Sequence, residues 1–328
     1  MRIFEDQLIV ITGGAGFIGS CLIRHLNDLG LTNILVVDEL GSSEKWKNLV
    51  GKNFYHVIDK QHLFSWLNGR ESSVEAIIHL GACTDTMQTD ANYLLENNYQ
   101  FSVNLAEYAL THEKRFIYAS SAATYGGESK DFIDDQNEIL KLQPLNMYGY
   151  SKQLFDQWAV NQGIFDKIVG LKFFNVFGPN ENHKGRMASA IVKMVSQIQK
   201  HEKVKLFKSN DAIRFYDGEQ KRDFIYVKDV VRMMHAFLEN ETGGIFNIGS
   251  GVASTWNELA QAVYLAFGKD VEIEYIDMPL ELVNKYQNYS RADMRKTGRV
   301  LGEKATCMNL NDSVVDYVKN YLIPKKSW

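Results

Sequence analysis

The sequence has few cysteines, no excess of basic charge and no long apolar run. Its 3 cysteines, Cys21, Cys83 and Cys307, show neither the spacing of a metal site nor the density of a disulfide framework. Reduced thiols predict a cytoplasmic protein, and we expect no bound metal. The formal net charge of -4 argues against a nucleic-acid partner.

Other absences exclude further classes of protein. The chain contains no run of about 18 apolar residues, so no membrane-spanning helix is predicted. The N-terminal stretch MRIFEDQLIVITGG is acidic, and its apolar run is only as long as a strand, which predicts no signal peptide. The length of 328 residues and the 45% hydrophobic content fit one large or two modest globular domains.

Short apolar stretches alternate with helical patterns in the first half of the chain. The stretches that predict buried strands are residues 8–12, 34–38, 76–80, 115–119 and 168–173. Helical periodicity covers residues 17–29, 92–111 and 148–161. This alternation predicts an α/β fold with a Rossmann-type, doubly wound parallel sheet that helices cover on both faces.

The alternation ends near residue 174, where a loop-like stretch begins. Helices are predicted over residues 187–200, 256–267 and 311–321, and a strand over residues 246–248. We therefore assign residues 1–174 to a dinucleotide-binding domain, to which residues 223–249 return. Residues 175–222 and 250–328 form the predicted smaller C-terminal α/β domain, which binds substrate.

A glycine-rich turn follows the first predicted strand and opens the first predicted helix. Gly13, Gly16 and Gly19 have the GxxGxxG spacing, which lets backbone amides approach a pyrophosphate at a helix N-terminus. A P-loop is excluded because no Gly-Lys-Ser or Gly-Lys-Thr follows. The turn predicts a nicotinamide dinucleotide site.

The choice between NAD and NADP stays open on the residues alone. Asp38 ends the second predicted strand, where an acid usually binds the adenosine ribose hydroxyls, and this favours NAD. Lys45 and Lys60 are close enough in sequence to offset its charge toward a 2′-phosphate.

Three residues form a predicted alcohol-oxidising centre. Ser121 follows a predicted strand, at the sheet edge where doubly wound folds bind ligands. Tyr148 and Lys152 are four residues apart, so they share one face of a helix. A lysine ammonium group can lower the pKa of the phenol, which would make Tyr148 a general base while Ser121 holds the substrate hydroxyl.

The motifs together resemble a known family. They are ITGGAGFIGS, LGACTDT, ENNYQ, YASSAATYGG, NMYGYSK, FFNVFGPNENHKGRMAS, KRDFIYV and KYQNYS. They resemble extended short-chain dehydrogenases/reductases that act on nucleotide sugars, and within these the ADP-heptose 6-epimerases. The resemblance implies an isomerase that uses tightly bound NADP (NAD possible) and an ADP-heptose substrate for lipopolysaccharide inner-core precursors. It also implies a ring-like homo-oligomer, possibly a pentamer.

The resemblance implies roles for individual residues. Those implied to bind the cofactor are Gly13, Gly16, Phe17, Ile18, Gly19, Asp38, Glu39, Lys45, Lys60, Gly81, Ala82, Cys83, Asn97, Lys152 and Val176. The implied catalytic residues are Ser121, Tyr148, Lys152 and Lys184. The implied substrate-binding residues are Asn175, Arg186, Lys193, Phe207, Arg222 and Tyr286. The chain departs from the family at Arg186, where serine is frequent, and at Lys193, where a histidine is expected.

Lys184 distinguishes an epimerase from a plain dehydrogenase. Inversion through a carbonyl requires hydride to return to the opposite face, so the oxygen occupies two places and two proton donors help. Tyr148 would serve one place and Lys184 the other. Before the resemblance, Lys184 is equally well interpreted as a loop lysine that binds phosphate or water, and His183 is interpreted as structural.

Three other functions share parts of this pattern. A dehydratase is excluded because Ala122 and Ala123 stand where dehydratases carry an Asp-Glu pair. A UDP-hexose 4-epimerase or another nucleotide-sugar enzyme of the family stays open. A non-catalytic dinucleotide sensor is less consistent with the joint presence of Ser121, Tyr148 and Lys152.

Overall fold

A computed structural model describes residues 7–127, 132–283 and 286–328. Residues 1–6, on which the expectation of no signal peptide partly depends, lie outside this description. Within the described ranges, no helix has the length and apolarity that crossing a bilayer needs.

Seven parallel strands form the central sheet. In chain order the strands of the molecule are β1 (Leu8–Thr12), β2 (Ile34–Val37), β3 (His56–Ile58), β4 (Val74–His79), β5 (Arg115–Ser121), β6 (Ile168–Phe173), β7 (Asn175–Phe177), β8 (Val204–Phe207), β9 (Lys221–Tyr226), β10 (Gly244–Ile248), β11 (Ala253–Thr255) and β12 (Ile273–Ile276). The central order is β10-β6-β5-β4-β1-β2-β3. The chain changes direction across the sheet between β1 and β4, which is where doubly wound folds bind dinucleotides.

Helices cover the sheet and extend beyond it. They are α1 (Phe17–Asp28), α2 (Leu63–Leu67), α3 (Ala91–Leu94), α4 (Phe101–Thr111), α5 (Met147–Asn161), α6 (Ala190–Gln199), α7 (Val227–Leu238), α8 (Trp256–Phe267), α9 (Leu280–Val283), α10 (Arg295–Leu301) and α11 (Leu310–Tyr317). The Rossmann-type fold predicted from the sequence is therefore confirmed.

Both faces of the central sheet are buried. In β1, Ile9 and Ile11 belong to the cluster that packs on α1 and α7, whereas Leu8 and Val10 belong to the cluster that packs on α4 and α5. Successive side chains of a strand point to opposite faces, so an unbroken apolar run is what a strand covered on both sides requires.

Several boundaries differ from the sequence prediction. The helix expected over residues 92–111 is α3, a π-helical stretch (Leu95–Gln100) and α4 in succession. The helix expected from residue 187 begins at Ala190, after a 3-10 stretch (Asn182–Met187). β3 was missed because it is short and partly exposed, with little apolar signal.

Two small sheets lie outside the central one. β7, β9 and β11 form a three-stranded sheet, and β8 pairs with β12. β10 pairs in parallel with β6 and so extends the central sheet. The division into two domains at the stated residues stays a prediction.

Candidate active site

The glycine-rich turn brings two backbones into contact. Gly13 has φ +67°, and a Cβ there would lie 2.7 Å from the backbone nitrogen of Gly81. A Cβ at Gly19 would collide with the carbonyl oxygen of Gly13. The turn ends at Phe17, the first residue of α1. This open cradle at a helix N-terminus fits a pyrophosphate.

Charged residues pair at the ends of β2 and β3. The Asp38 carboxylate accepts the Ala15 amide at 2.9 Å and pairs with Lys45 at 2.7 Å. Lys60 pairs with Glu39 at 2.8 Å and donates to Asn97 Oδ1 at 2.7 Å. The acid that would repel a 2′-phosphate is thus partly neutralised by a lysine.

A cleft of about 630 Å³ extends from the turn over the carboxyl ends of the central strands. The predicted residues that line it are Gly13, Gly16, Phe17, Ile18, Gly19, Asp38, Lys45, Gly81, Ala82, Ser121, Tyr148, Lys152, Asn175, Val176 and Lys184. Residues from the first and second halves of the chain therefore meet in one cavity.

Ser121, Tyr148 and Lys152 converge as the sequence predicted. Ser121 ends β5, Tyr148 lies in the first turn of α5, and both line the cleft. Asn146 caps α5 by accepting the Gly149 amide at 2.9 Å, which fixes the turn that carries Tyr148. Lys152 is 5% exposed and donates to the Ala119 carbonyl at 2.9 Å.

The expected lowering of the phenol pKa is not present in this arrangement. Burial raises the pKa of Tyr148, and the nearby Ser121 hydroxyl lowers it only in part. Burial also lowers the pKa of Lys152 to about 8, against the opposing effect of Asp156. Desolvation is thus the largest effect on the Tyr148 phenol, which stays protonated and is a donor in this arrangement.

A buried ion pair lies beneath this centre. Asp156 of α5 and Lys172 of β6 are 2.8 Å apart, with side chains 0% and 1% exposed. The Asp156 carboxylate also accepts the hydroxyls of Tyr118 and Ser120, each at 2.8 Å. Lys172 donates to Thr124 Oγ1, which in turn donates to the Ser121 carbonyl. The pair therefore ties α5 to the end of β5.

Lys184 enters the cleft from a separate element. It lies in the 3-10 stretch that Gly185 interrupts with φ +54°. Its Nζ is 5.5 Å from the centroid of the Phe17 ring. Burial lowers the pKa of Lys184, and Glu181 opposes this shift. A lysine in this state can exchange a proton nearer to neutral pH than an exposed one.

His183 also lines the cleft. From the sequence we expected it to have a structural role. Its Nδ1 lies 3.1 Å from Asn48 Nδ2 and 3.1 Å from the Asn180 carbonyl oxygen. Burial lowers the pKa of His183. These contacts fit a residue that fixes the loop.

The predicted diphosphate-binding arginine is stacked between aromatic rings. The Arg222 guanidinium lies 5.0 Å from the Tyr286 ring and 5.9 Å from the Trp256 ring. Burial lowers the pKa of Arg222. Among the residues that the structure describes, no carboxylate pairs with it, so a buried cation is available for an anionic ligand.

Other predicted residues lie outside the lining of the cleft. These are Glu39, Lys60, Cys83, Asn97, Arg186, Lys193, Phe207, Arg222 and Tyr286. Arg186 pairs with Asp85 at 2.6 Å, Lys193 is exposed on α6, and Phe207 is half-buried in β8. Their binding roles stay predictions.

The structure adds residues that sequence reasoning missed. They include Ser43, Thr84, Phe174, Met187, Ile191, Trp256 and Leu259, all of which line the cleft. Thr84 and Met187 belong to motifs that the sequence analysis recognised, so the sequence could have predicted their place in the cleft. Nothing in the sequence marks Trp256 and Leu259, because only the tertiary fold brings α8 over the cleft. In the described part of the chain, no cluster of three or more His, Cys, Asp or Glu could hold a metal ion.

Comparison with known proteins identifies the family. The model of the NAD dependent epimerase/dehydratase family matches residues 9–249. The chain belongs to this family. It is 48% identical to the ADP-L-glycero-D-manno-heptose-6-epimerase of Nitratidesulfovibrio vulgaris (strain Hildenborough), over 96% of this chain and 98% of that one. It is 43% identical to the protein of that name from Fusobacterium nucleatum, over 98% and 100%.

A solved structure agrees with this assignment. The ADP-L-glycero-D-manno-heptose-6-epimerase of Helicobacter pylori superposes with a TM-score of 0.81 at 29% identity, over 98% of this chain and 99% of that chain. The resemblance inferred from the motifs is thus confirmed, and the chain is an epimerase and hence an isomerase. The family name also supports a nicotinamide dinucleotide as cofactor.

The buried Asp156–Lys172 pair gives a prediction for stability. Lys172→Met should lower the free energy of unfolding by about 3–5 kcal/mol, because it leaves a buried carboxylate without its cation. Lys172→Met combined with Asp156→Asn should be less destabilising than Lys172→Met alone. Denaturant unfolding measures both.

The exposed Lys141–Glu138 pair is the matched control, and Lys141→Met should leave the unfolding midpoint unchanged. Additive effects of the two buried substitutions would contradict the coupling of α5 to β6 through this pair.

Proposed function

We propose that this chain interconverts ADP-D-glycero-D-manno-heptose and ADP-L-glycero-D-manno-heptose by transient oxidation at C6. The observation that carries the proposal is that Tyr148 and Lys184, from different elements, line one cleft with the glycine-rich turn. Two proton-exchanging groups on separate elements are what inversion of a carbinol needs. The names of the relatives support the choice of sugar.

The residues of the cleft divide the reaction between them. When bound, the nicotinamide supplies a hydride acceptor that becomes the donor for the return step. Ser121 holds the C6 hydroxyl while one of Tyr148 and Lys184 accepts its proton. Once C6 is a ketone, its oxygen would change place within the cleft, so that the carbon presents its opposite face for the return of hydride. The other residue then protonates the oxygen.

Lys152 stabilises the deprotonated form of Tyr148 in this scheme. Free tyrosine has a pKa of about 10, so work near pH 7 needs a shift of roughly three units, or about 4 kcal/mol. Burial alone acts in the wrong direction on Tyr148. The ammonium of Lys152 and the positive charge of an oxidised nicotinamide would together supply the preference for the phenolate.

The nucleotide half of the substrate would lie toward β9. Arg222 would bind the diphosphate through its planar guanidinium, which matches phosphate oxygens. Tyr286 and Trp256 hold that guanidinium by stacking. Asn175, whose Nδ2 donates to the Asp223 carbonyl at 3.1 Å, would contact the sugar from β7.

NADP is the proposed cofactor. Lys45 and Lys60 stand beside the two acids at the adenosine end and would turn toward a 2′-phosphate. The proposal also includes a cytoplasmic location, which the three free thiols support, and a role in lipopolysaccharide inner-core synthesis. A ring-like homo-oligomer, possibly a pentamer, remains part of the proposal.

Epimerisation is tested with purified protein and ADP-D-glycero-D-manno-heptose, by following the C6 proton by NMR. We expect conversion to a mixture of the two epimers without net consumption of cofactor. UDP-hexoses should be poor substrates. An unchanged C6 configuration, or faster 4-epimerisation of a UDP-hexose, would contradict the assignment.

Substitution of the two proton-exchanging residues should lower kcat. Tyr148→Phe and Lys184→Met should each reduce it about 10²–10⁴-fold, because each removes a general acid–base group. Tyr150→Phe and Lys200→Met, at exposed positions, are the matched controls. If Lys184→Met instead weakens cofactor binding and leaves kcat intact, Lys184 is a phosphate ligand and not a base.

Cofactor choice is tested by titrating cofactor-free protein with NADP and NAD. Wild type should prefer NADP, and Lys45→Ala should weaken NADP binding roughly tenfold or more, because a charged hydrogen bond is lost. NAD binding should change little. Lys47→Ala, at an exposed position, is the control. Equal weakening of both cofactors would argue against a 2′-phosphate contact.

A further inference from the structure

Glu181 is a buried acid in the segment that carries Lys184. Its side chain is buried, with the residue 1% exposed. Glutamates are rarely buried to this extent unless they have partners for their charge. Glu181 precedes the 3-10 stretch and accepts the Lys184 amide through its own carbonyl at 3.0 Å. The motifs of the sequence contained Glu181, but no role was inferred for it.

The Glu181 side chain joins both ends of its segment. Ser189 donates its amide to Oε2 and its hydroxyl to Oε1, each at 2.6 Å. Gly178, at the other end, directs its amide to Oε1 at 3.4 Å. Tyr317 of α11 donates to Oε1 at 2.9 Å. One carboxylate therefore closes the loop and fastens it to the C-terminal helix.

All four of these groups, which belong to three residues, are donors. An ionised carboxylate is an acceptor only, so this set of partners suits the charged form. Ser189 is also the N-cap of α6, where the helix dipole favours a negative charge. Burial opposes ionisation and raises the pKa of Glu181, while the hydrogen bonds from Ser189 lower it.

The charge environment of Lys184 is simple. Burial lowers the pKa of Lys184, and Glu181 is the charged group that raises it. His183 faces the same space with its pKa lowered by burial, so it is neutral at pH 7. Tyr317 contacts Glu181, and Cys21 is close enough to feel its charge; burial raises the pKa of each, which keeps both neutral. From α1, Lys184 meets the Phe17 ring.

We propose that Glu181 is a positioning residue for Lys184. Its carboxylate holds the segment between Gly178 and Ser189 in the shape that directs Lys184 into the cleft, and it keeps a negative charge near the ammonium group. The inference deepens the proposed function, since it concerns the second acid–base group of that reaction. Glu181 itself does not line the cleft and touches no reacting atom.

The test measures the amine of Lys184 directly, without substrate. Competitive acetylation with isotopically labelled acetic anhydride across pH, followed by mass spectrometry of the peptide, gives the midpoint of Lys184 titration. Glu181→Gln keeps the shape of the side chain but removes its charge, so the midpoint should move to lower pH. An unchanged midpoint would overturn the electrostatic part of the proposal.

Matched variants separate charge from other effects. Tyr317→Phe removes one hydrogen bond to the carboxylate without changing its charge, and the midpoint should stay near that of wild type. Asp134→Asn neutralises another buried acid, which acts on Lys296 and not on Lys184, and should leave the midpoint unchanged. A shift in Asp134→Asn equal to that in Glu181→Gln would contradict a specific role for Glu181.

The positioning part is tested with Glu181→Asp, which keeps the charge but shortens the reach. Amide hydrogen exchange over residues 178–189 should become faster than in wild type, while exchange in the central strands stays unchanged. Unchanged exchange in that segment would overturn the positioning role. If Glu181→Gln does not fold, Glu181→Asp still tests whether Glu181 positions the segment that carries Lys184.

Kinetics link this result to the reaction. In Glu181→Gln, kcat for epimerisation should fall more than KM changes, and the pH limb that belongs to Lys184 should move to lower pH. If wild type shows no epimerisation, the proposed function fails, yet the labelling and exchange experiments still decide whether Glu181 controls Lys184.

Discussion

The buried carboxylate of Asp156 is the constraint on which the reacting centre depends. It receives the hydroxyls of Tyr118 and Ser120 from β5 and the ammonium of Lys172 from β6, all within 2.8 Å. Because Asp156 lies on α5 one turn beyond Lys152, the same contacts fix the helix that carries Tyr148 and Lys152, the predicted catalytic pair. A fully buried ion pair is a poor source of stability compared with apolar packing. Its contacts join β5 and β6 to α5, so its main effect is on geometry.

Two anchored carboxylates therefore organise the two sides of the cleft. Asp156 fixes Ser121, Tyr148 and Lys152 at the edge of the central sheet, whereas Glu181 fixes the segment that carries Lys184. The glycine-rich turn lines the same cleft, where Phe17 faces Lys184 and Gly13 abuts Gly81 after the end of β4. An epimerase needs proton exchange at two places around one carbon, and this construction places the two groups on elements that are held independently.

The sequence predicted the central fold because the inner strands are rich in apolar residues, and β1 and β2 are nearly or wholly apolar. β3 was missed because His56 is exposed and only three residues pair. Ser121, Tyr148 and Lys152 lie together as predicted. The end of a strand determines the position of Ser121, and helical spacing places Tyr148 and Lys152 on one face. The state of Tyr148 was not predictable, because desolvation depends on packing that spacing does not describe. Trp256 and Glu181 were likewise assigned no role, since their contacts come from distant elements.

The central claim is that Tyr148 and Lys184 serve a transient oxidation at C6, with the same hydride returned to the same carbon. The most direct measurement uses ADP-D-glycero-D-manno-heptose that carries deuterium at C6, incubated with the enzyme in ordinary water. The account predicts that the L-glycero product keeps its deuterium at C6, as seen by NMR and mass spectrometry. Replacement of that deuterium by solvent hydrogen would show inversion by deprotonation and would contradict the account.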